Sequence, residues 1–170
     1  MTEYLSPVTE YLSPVPLPAL DATAPDVYRE IYGMPQFVTI PTADLTASRD
    51  FWLEGLGFID LFTIPGQVTH LRRWAFQDVL LVPGAPAAAP TAMTISFASV
   101  LNQLDEVAAR CERLVPGCTS GPEEKPWNSA ELTVVTPENA RVVLTAARPL
   151  DPDSAAADRL RAVGIEVPRA

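Results

Sequence analysis

Two side chains of this sequence, His70 and Glu131, have the chemistry to move a proton near neutral pH and fall on the same parity of their predicted strands. His70 is the sole histidine, and each group belongs to a different half of the chain. If the folded strands bring them together, they can act as acid and base in a metal-independent reaction of the isomerase, cyclase or lyase kind. The plainer reading is a partly exposed, inert strand histidine. Arg72 and Arg141 share that parity and suit either a ligand carboxylate or a structural pairing with Glu131. Trp74, Phe76 and Phe37, with Phe62 and Trp127, supply flat surfaces on which a planar ring or a cation gains about 0.5 to 2 kcal/mol per contact. Trp74 and Phe76 serve equally well as packing between sheets. Trp52, at helical spacing, reads as core, and Trp127, in a loop of prolines and charges, suits a lid.

The elements that position these groups follow from periodicity. The stretch FVTIPTADLTASRDFWLEGLGF, residues 37–58, reads as a strand, a helix opened by Asp44 and a stop at Gly57. Strands are then expected over 58–64, 70–76 and 78–82, separated by Pro65-Gly66 and closed by Pro83-Gly84. The uncharged APAAAPT, residues 85–91, reads as a linker. A second half repeats the order: a strand over 93–97, a helix from Leu101 to Leu114, a weak strand near Cys118, a loop over 120–129, and strands over 131–136 and 141–146. A short C-terminal helix is expected over 154–163. Residues 1–33 form an arm in which TEYLSPV is repeated back to back before PVPLPAL. Proline density denies it helix or ladder, leaving either a disordered segment or one laid across a partner through Tyr4, Leu5, Tyr11 and Leu12.

Alternation then sorts the strands into two faces. Val38, Ile40, Val79, Leu81, Ile95, Phe97, Leu132, Val134, Val142 and Leu144 form one wholly apolar set, as a helix-packed face requires. The other set is mixed: Phe37, Thr39, His70, Arg72, Trp74, Phe76, Leu80, Val82, Thr94, Ser96, Glu131, Thr133, Arg141 and Val143.

A length of 170 residues with 48% hydrophobic composition supports one respectable core. A formal net charge of −9 argues against nucleic acid or an anionic membrane as partner and favours a neutral or cationic small molecule. Cys111 and Cys118 give neither a disulfide framework nor zinc spacing, and no apolar run approaches the roughly 20 residues that span a bilayer. A cytoplasmic protein with reduced thiols is expected.

The strand, the capped helix ending in LGF and the following strands, met twice, resemble the vicinal-oxygen-chelate superfamily of glyoxalases, extradiol dioxygenases and bleomycin-resistance proteins. The resemblance covers residues 34–148, with halves 34–84 and 92–148 and a tail over 149–170. It implies an α+β fold of two βαβββ modules whose mixed sheets curl around a cleft lined by the mixed parity, and a homodimer. Counted from Asp44-Leu45, the superfamily's metal-ligand positions fall on Phe37, Leu80, Thr94 and Val143, and three of these four have no donor atom. The resemblance therefore points to the metal-free, antibiotic-binding branch. That means no metal, no cofactor, and sequestration of a natural product or xenobiotic, with Phe37, Thr39, Phe62, Arg72, Trp74, Phe76, Leu80, Thr94, Ser96, Trp127, Thr133, Arg141 and Val143 as lining. The alternatives are the metal-independent enzyme using His70 and Glu131, and an interaction module working through the arm.

Overall fold

The computed structural model describes residues 15–31, 36–165 and 167. Asp44 opens the first helix: its Oδ1 accepts the N–H groups of Thr46 and Ala47, both at 3.0 Å, satisfying two donors that have no partner within the helix. This helix, α1 (Leu45–Asp50), widens into a π-helical turn over Phe51–Gly55. Gly57 ends it at φ +77°, letting the Phe58 N–H reach the Trp52 carbonyl at 3.1 Å.

Around α1 the first half forms β1 (Val38–Thr42), β2 (Ile59–Ile64), β3 (Val68–Arg72) and β4 (Asp78–Pro83), in the order β1-β4-β3-β2. The β1–β4 pair is parallel and the others antiparallel. The second half repeats this plan with β5 (Thr94–Ser99), α2 (Leu104–Leu114), β6 (Thr119–Lys125), β7 (Ser129–Val135) and β8 (Arg141–Ala147), ordered β5-β8-β7-β6. The fold is thus α+β, two βαβββ units each with a mixed sheet, followed by α3 (Ala155–Ala162), capped by the Ser154 hydroxyl.

The apolar parity packs as its alternation requires. Ile40, Leu71, Val79 and Leu81 of the first sheet and Leu132, Val134, Val142 and Leu144 of the second are buried in one core with Trp52, Leu104, Val107 and Cys111. Trp52, Phe58 and Phe97 meet edge to face, with centroids 5.0 to 6.4 Å apart, and tie the halves together.

Two elements differ from the sequence reading. The strand expected over 70–76 ends at Arg72, because Trp74 and Phe76 are left-handed, at φ 56° and 61°, and strand parity does not govern where they point. The turn is held by Arg73, whose N–H bonds the Gln77 carbonyl at 3.0 Å and whose buried guanidinium donates to the Ala98 carbonyl, Ser99 and Gln103. The loop expected over 120–129 is largely strand β6. An edge strand tolerates Pro122, and a register shift between Ser120 and Glu123 absorbs it.

Residues 15–31 form neither helix nor strand and run over the chain's own sheets. The Tyr28 N–H bonds the Trp74 carbonyl at 3.2 Å, Arg72 Nη1 donates to the carbonyls of Tyr28 and Glu30, and Asn102 donates to the Ala22 carbonyl. The expected anchors Tyr4, Leu5, Tyr11 and Leu12 lie outside the described residues.

Candidate functional site

On the first sheet, strand register sets the face turned away from the helices into rows. One row runs Thr39, Leu80, His70, Phe62, and the next runs Asp78, Arg72, Ile59, with Phe37 one residue before the β1–β4 ladder. This puts the lone histidine between apolar neighbours with a carboxylate and a guanidinium beside it.

His70 is 3% exposed, so the expectation of a partly exposed strand histidine fails. Its Nε2 lies 2.8 Å from Asp78 Oδ1, and Arg72 Nε donates to the same oxygen at 2.6 Å. The Phe37 and Phe62 rings stand nearly perpendicular to the imidazole, each with its centroid 5.1 Å away. Both phenylalanines remain substantially open, at 40% and 43% exposure. Arg72 is fully engaged between Asp78 and the arm carbonyls, with its guanidinium carbon 5.9 Å from the Tyr28 ring, so its role here is structural support. Nothing in the local sequence singles out Asp78, because DVLLV reads as an apolar strand. Its signal is parity, two residues before Leu80 and opposite Arg72.

Glu131 is elsewhere. Its Oε1 accepts from Trp127 Nε1 at 2.9 Å and the Ser129 hydroxyl at 3.2 Å, and among the described residues no hydrogen bond joins it to His70. Trp127, 59% exposed, is thus tethered to the carboxylate it would have helped to shield. Arg141 donates from Nε to the Thr91 carbonyl at 3.1 Å and not to Glu131. Trp74 is buried with the Arg73 guanidinium 4.4 Å from its ring centroid, whereas Phe76 is 61% exposed. Burial lowers the Arg73 pKa to about 10, with Arg110 adding like-charge repulsion, and the guanidinium stays charged at neutral pH.

Two cavities meet the open face of β5. The larger, about 500 Å³, is bounded by Gln36, Phe76, Asp78, Thr94 and Ser96. The smaller, about 350 Å³, is closed on one side by Leu17 and Pro18 of the arm and on the other by Ser96, Ala98 and Thr145. Thr133 and Val143 stand opposite each other in the β7–β8 ladder, and Val143 pairs with Ser96 across β5–β8. The predicted lining therefore divides into a first-sheet group around His70 and a second-sheet group around Ser96. Asp78, on the first sheet, also borders the larger cavity.

A divalent metal does not fit the superfamily's ligand positions in this chain. Phe37, Leu80 and Val143 offer no donor, Thr94 offers a single neutral hydroxyl, and His70 and Asp78 are already bonded to each other with a guanidinium at hand. Among the described residues no three His, Cys, Asp or Glu side chains cluster as ligands would.

No family model matches the chain, and no curated protein sequence matches it. Solved structures do. The fosfomycin resistance protein FosX of Listeria monocytogenes, solved with Mn(II) and sulfate, aligns over 79% of this chain and 99% of its own at a TM-score of 0.56 and 17% identity. Lactoylglutathione lyase of Agrobacterium tumefaciens covers 69% and 96%, at 0.51 and 18%. An integron cassette protein from the Halifax Harbour sewage outfall metagenome covers 68% and 99%, at 0.54 and 18%. At such identities the likeness is one of architecture, and it agrees with the paired βαβββ units: this chain has the vicinal-oxygen-chelate fold.

Proposed function

We propose that this protein binds a small organic molecule, of the natural-product or xenobiotic kind, without a metal ion, and acts by sequestering it. What carries the reading is that Phe37, Leu80 and Val143, where the resemblance implies metal ligands, offer only carbon, on a fold that in a fosfomycin resistance protein was solved with Mn(II). What remains is an aromatic and hydroxyl-bearing surface beside cavities of small-molecule size, the usual composition of a pocket that grips by shape and ring contact. The acidic chain favours approach of cationic ligands. A homodimer, in which a second copy completes the open sheet faces, belongs to the same proposal.

The metal-independent enzyme is the second reading, favoured by one observation, the His70–Asp78 contact of 2.8 Å. In it His70 takes the proton with Asp78 as its orienting partner, and Glu131 acts only if another copy of the chain supplies it.

The full chain, screened by thermal shift against natural products and cationic aromatic drugs with and without EDTA, tests the first reading. A saturable rise in melting temperature that survives chelation, with the compound recovered unchanged, is the expected result. Conversion of the compound moves the assignment to the enzyme, and a rise that needs added Mn(II) contradicts both readings.

A further inference from the structure

We infer that His70 is a fixed hydrogen-bond acceptor for a planar aromatic ligand carrying an acidic O–H or N–H, with Asp78 and Arg72 setting its tautomer. This rests on the small-molecule reading and narrows it to a ligand class and a contact.

A carboxylate facing a guanidinium at 2.6 Å has only lone pairs to offer. The proton shared between Asp78 Oδ1 and the imidazole therefore sits on Nε2, and Nδ1 of the neutral ring carries the lone pair. Nδ1 makes no hydrogen bond among the described residues, although His70 is almost wholly buried. Nδ1 is not one of the fully enclosed polar atoms, so solvent reaches it, and a ligand that displaces that solvent must bring a donor of its own. The surroundings say which ligand: Phe37 and Phe62 present open aromatic surface on the imidazole's flanks, and Ile64 extends it along β2. A flat ring laid there gains contact area, and only a donor is welcomed at Nδ1. A carboxylate or carbonyl would set lone pair against lone pair. Arg72 is held by Asp78 and the arm carbonyls, and Asp78 Oδ2, buried without a hydrogen bond, leaves a second acceptor rather than a donor beside the ring.

Because the chain has one histidine, a sample labelled with 15N-histidine reports on this ring alone. In slightly alkaline buffer, nitrogen shifts of an Nε2-protonated ring are expected. Adding 4-chlorophenol, which keeps its O–H in that buffer, should move Nδ1 into the hydrogen-bonded range. Its methyl ether, 4-chloroanisole, keeps the ring and loses the donor; it should bind about tenfold more weakly and leave Nδ1 where it was. In Asp78→Asn the phenol's advantage should shrink and the tautomers mix. Should that variant fail to fold, the unmutated chain still decides, since both probes are compared on it. An Nδ1-protonated ring, equal affinities for the two probes, or no saturable binding of 4-chlorophenol overturns the assignment. Equal affinities would leave small-molecule binding intact and remove only the part given to His70, whereas failure of the whole ligand panel would remove the reading beneath it.

Discussion

In the first half, strand register places Asp78 opposite Arg72 and His70 opposite Leu80; in the second half the same places hold Arg141 opposite Val135 and Thr133 opposite Val143. Phe62, across from His70, corresponds to Ser120, across from Thr133. One backbone plan thus carries a buried acid, base and cation on one sheet, and on the other hydroxyls and alkyl groups with Arg141, which bonds a carbonyl and not a carboxylate. The second sheet folds without the charged row, so the plan does not need it. Burying such a row is expensive, and a neutral row of similar shape would hold the sheet at least as well. The difference teaches that the backbone plan does not require a buried ion row: the first sheet uses its own to hold arm carbonyls, and the second packs without one.

The strongest way to break that contrast is to cut the row. Asp78→Ala leaves Arg72 and His70 facing each other without a counter-charge and should cost about 3 to 5 kcal/mol in urea unfolding. Arg141→Ala, at the matching place, loses one hydrogen bond to a carbonyl and should cost about 1 kcal/mol. The double change Arg72→Met with Asp78→Leu should regain most of the Asp78→Ala loss, since it removes the charges together.

A smaller effect is expected from the glycines of the two edge hairpins. Gly121, at φ +98°, lies where an added Cβ would stand 2.7 Å from the Glu131 carbonyl oxygen, so Gly121→Ala should cost about 1 to 3 kcal/mol. Gly66→Ala, at φ +69° with open space around it, should cost about 1 kcal/mol. Equal melting temperatures for the two variants would show that β6 does not approach Glu131 as described.

Acid sensitivity separates the halves more finely. The Glu112 carboxylate accepts from the Thr119 hydroxyl at 2.6 Å and from the N–H groups of Gly117 and Thr119, and these bonds hold its pKa below the ordinary 4.5. A depressed folded value contributes stability that is full above the unfolded pKa and disappears as pH falls through the folded one. The stability gap between the native chain and Glu112→Gln should therefore be widest near neutrality and close progressively below about pH 4.5. Urea midpoints from neutral to about pH 3 check it.

The slightest perturbation comes from the thiols, both in the second half. Burial pushes Cys111 up to about 12 and Cys118 upward in the same sense, so neither should react with a disulfide reagent at about pH 8 until the chain unfolds. Rapid native labelling of one thiol would contradict the packing of α2 against the second sheet.

Most of the architecture was legible in the sequence because period, cap and glycine stop agree there: Asp44 and Gly57 bracket the first helix, and the apolar parity falls on the core face, buried except for the half-buried Val38 and Ile95. The turn at Trp74 and Phe76 was not, since aromatic residues at alternate positions mimic a strand, and only the distant Ala98, Ser99 and Gln103 reveal why Arg73 folds the chain back. β6 was hidden by its proline and glycine, which an edge strand tolerates. In the candidate site, His70 and its aromatic neighbours were visible by parity. Its true partner was masked by the apolar residues after Asp78, and pairing it with Glu131 assumed a proximity that only the tertiary fold could supply.

The most direct test of the central claim is equilibrium dialysis of the purified full chain against Mn(II), with metal and bound small molecule quantified on the same sample. The expected result is metal far below one ion per chain, with ligand binding unchanged by EDTA. Roughly one Mn(II) per chain, with ligand binding that disappears on chelation, would contradict the account.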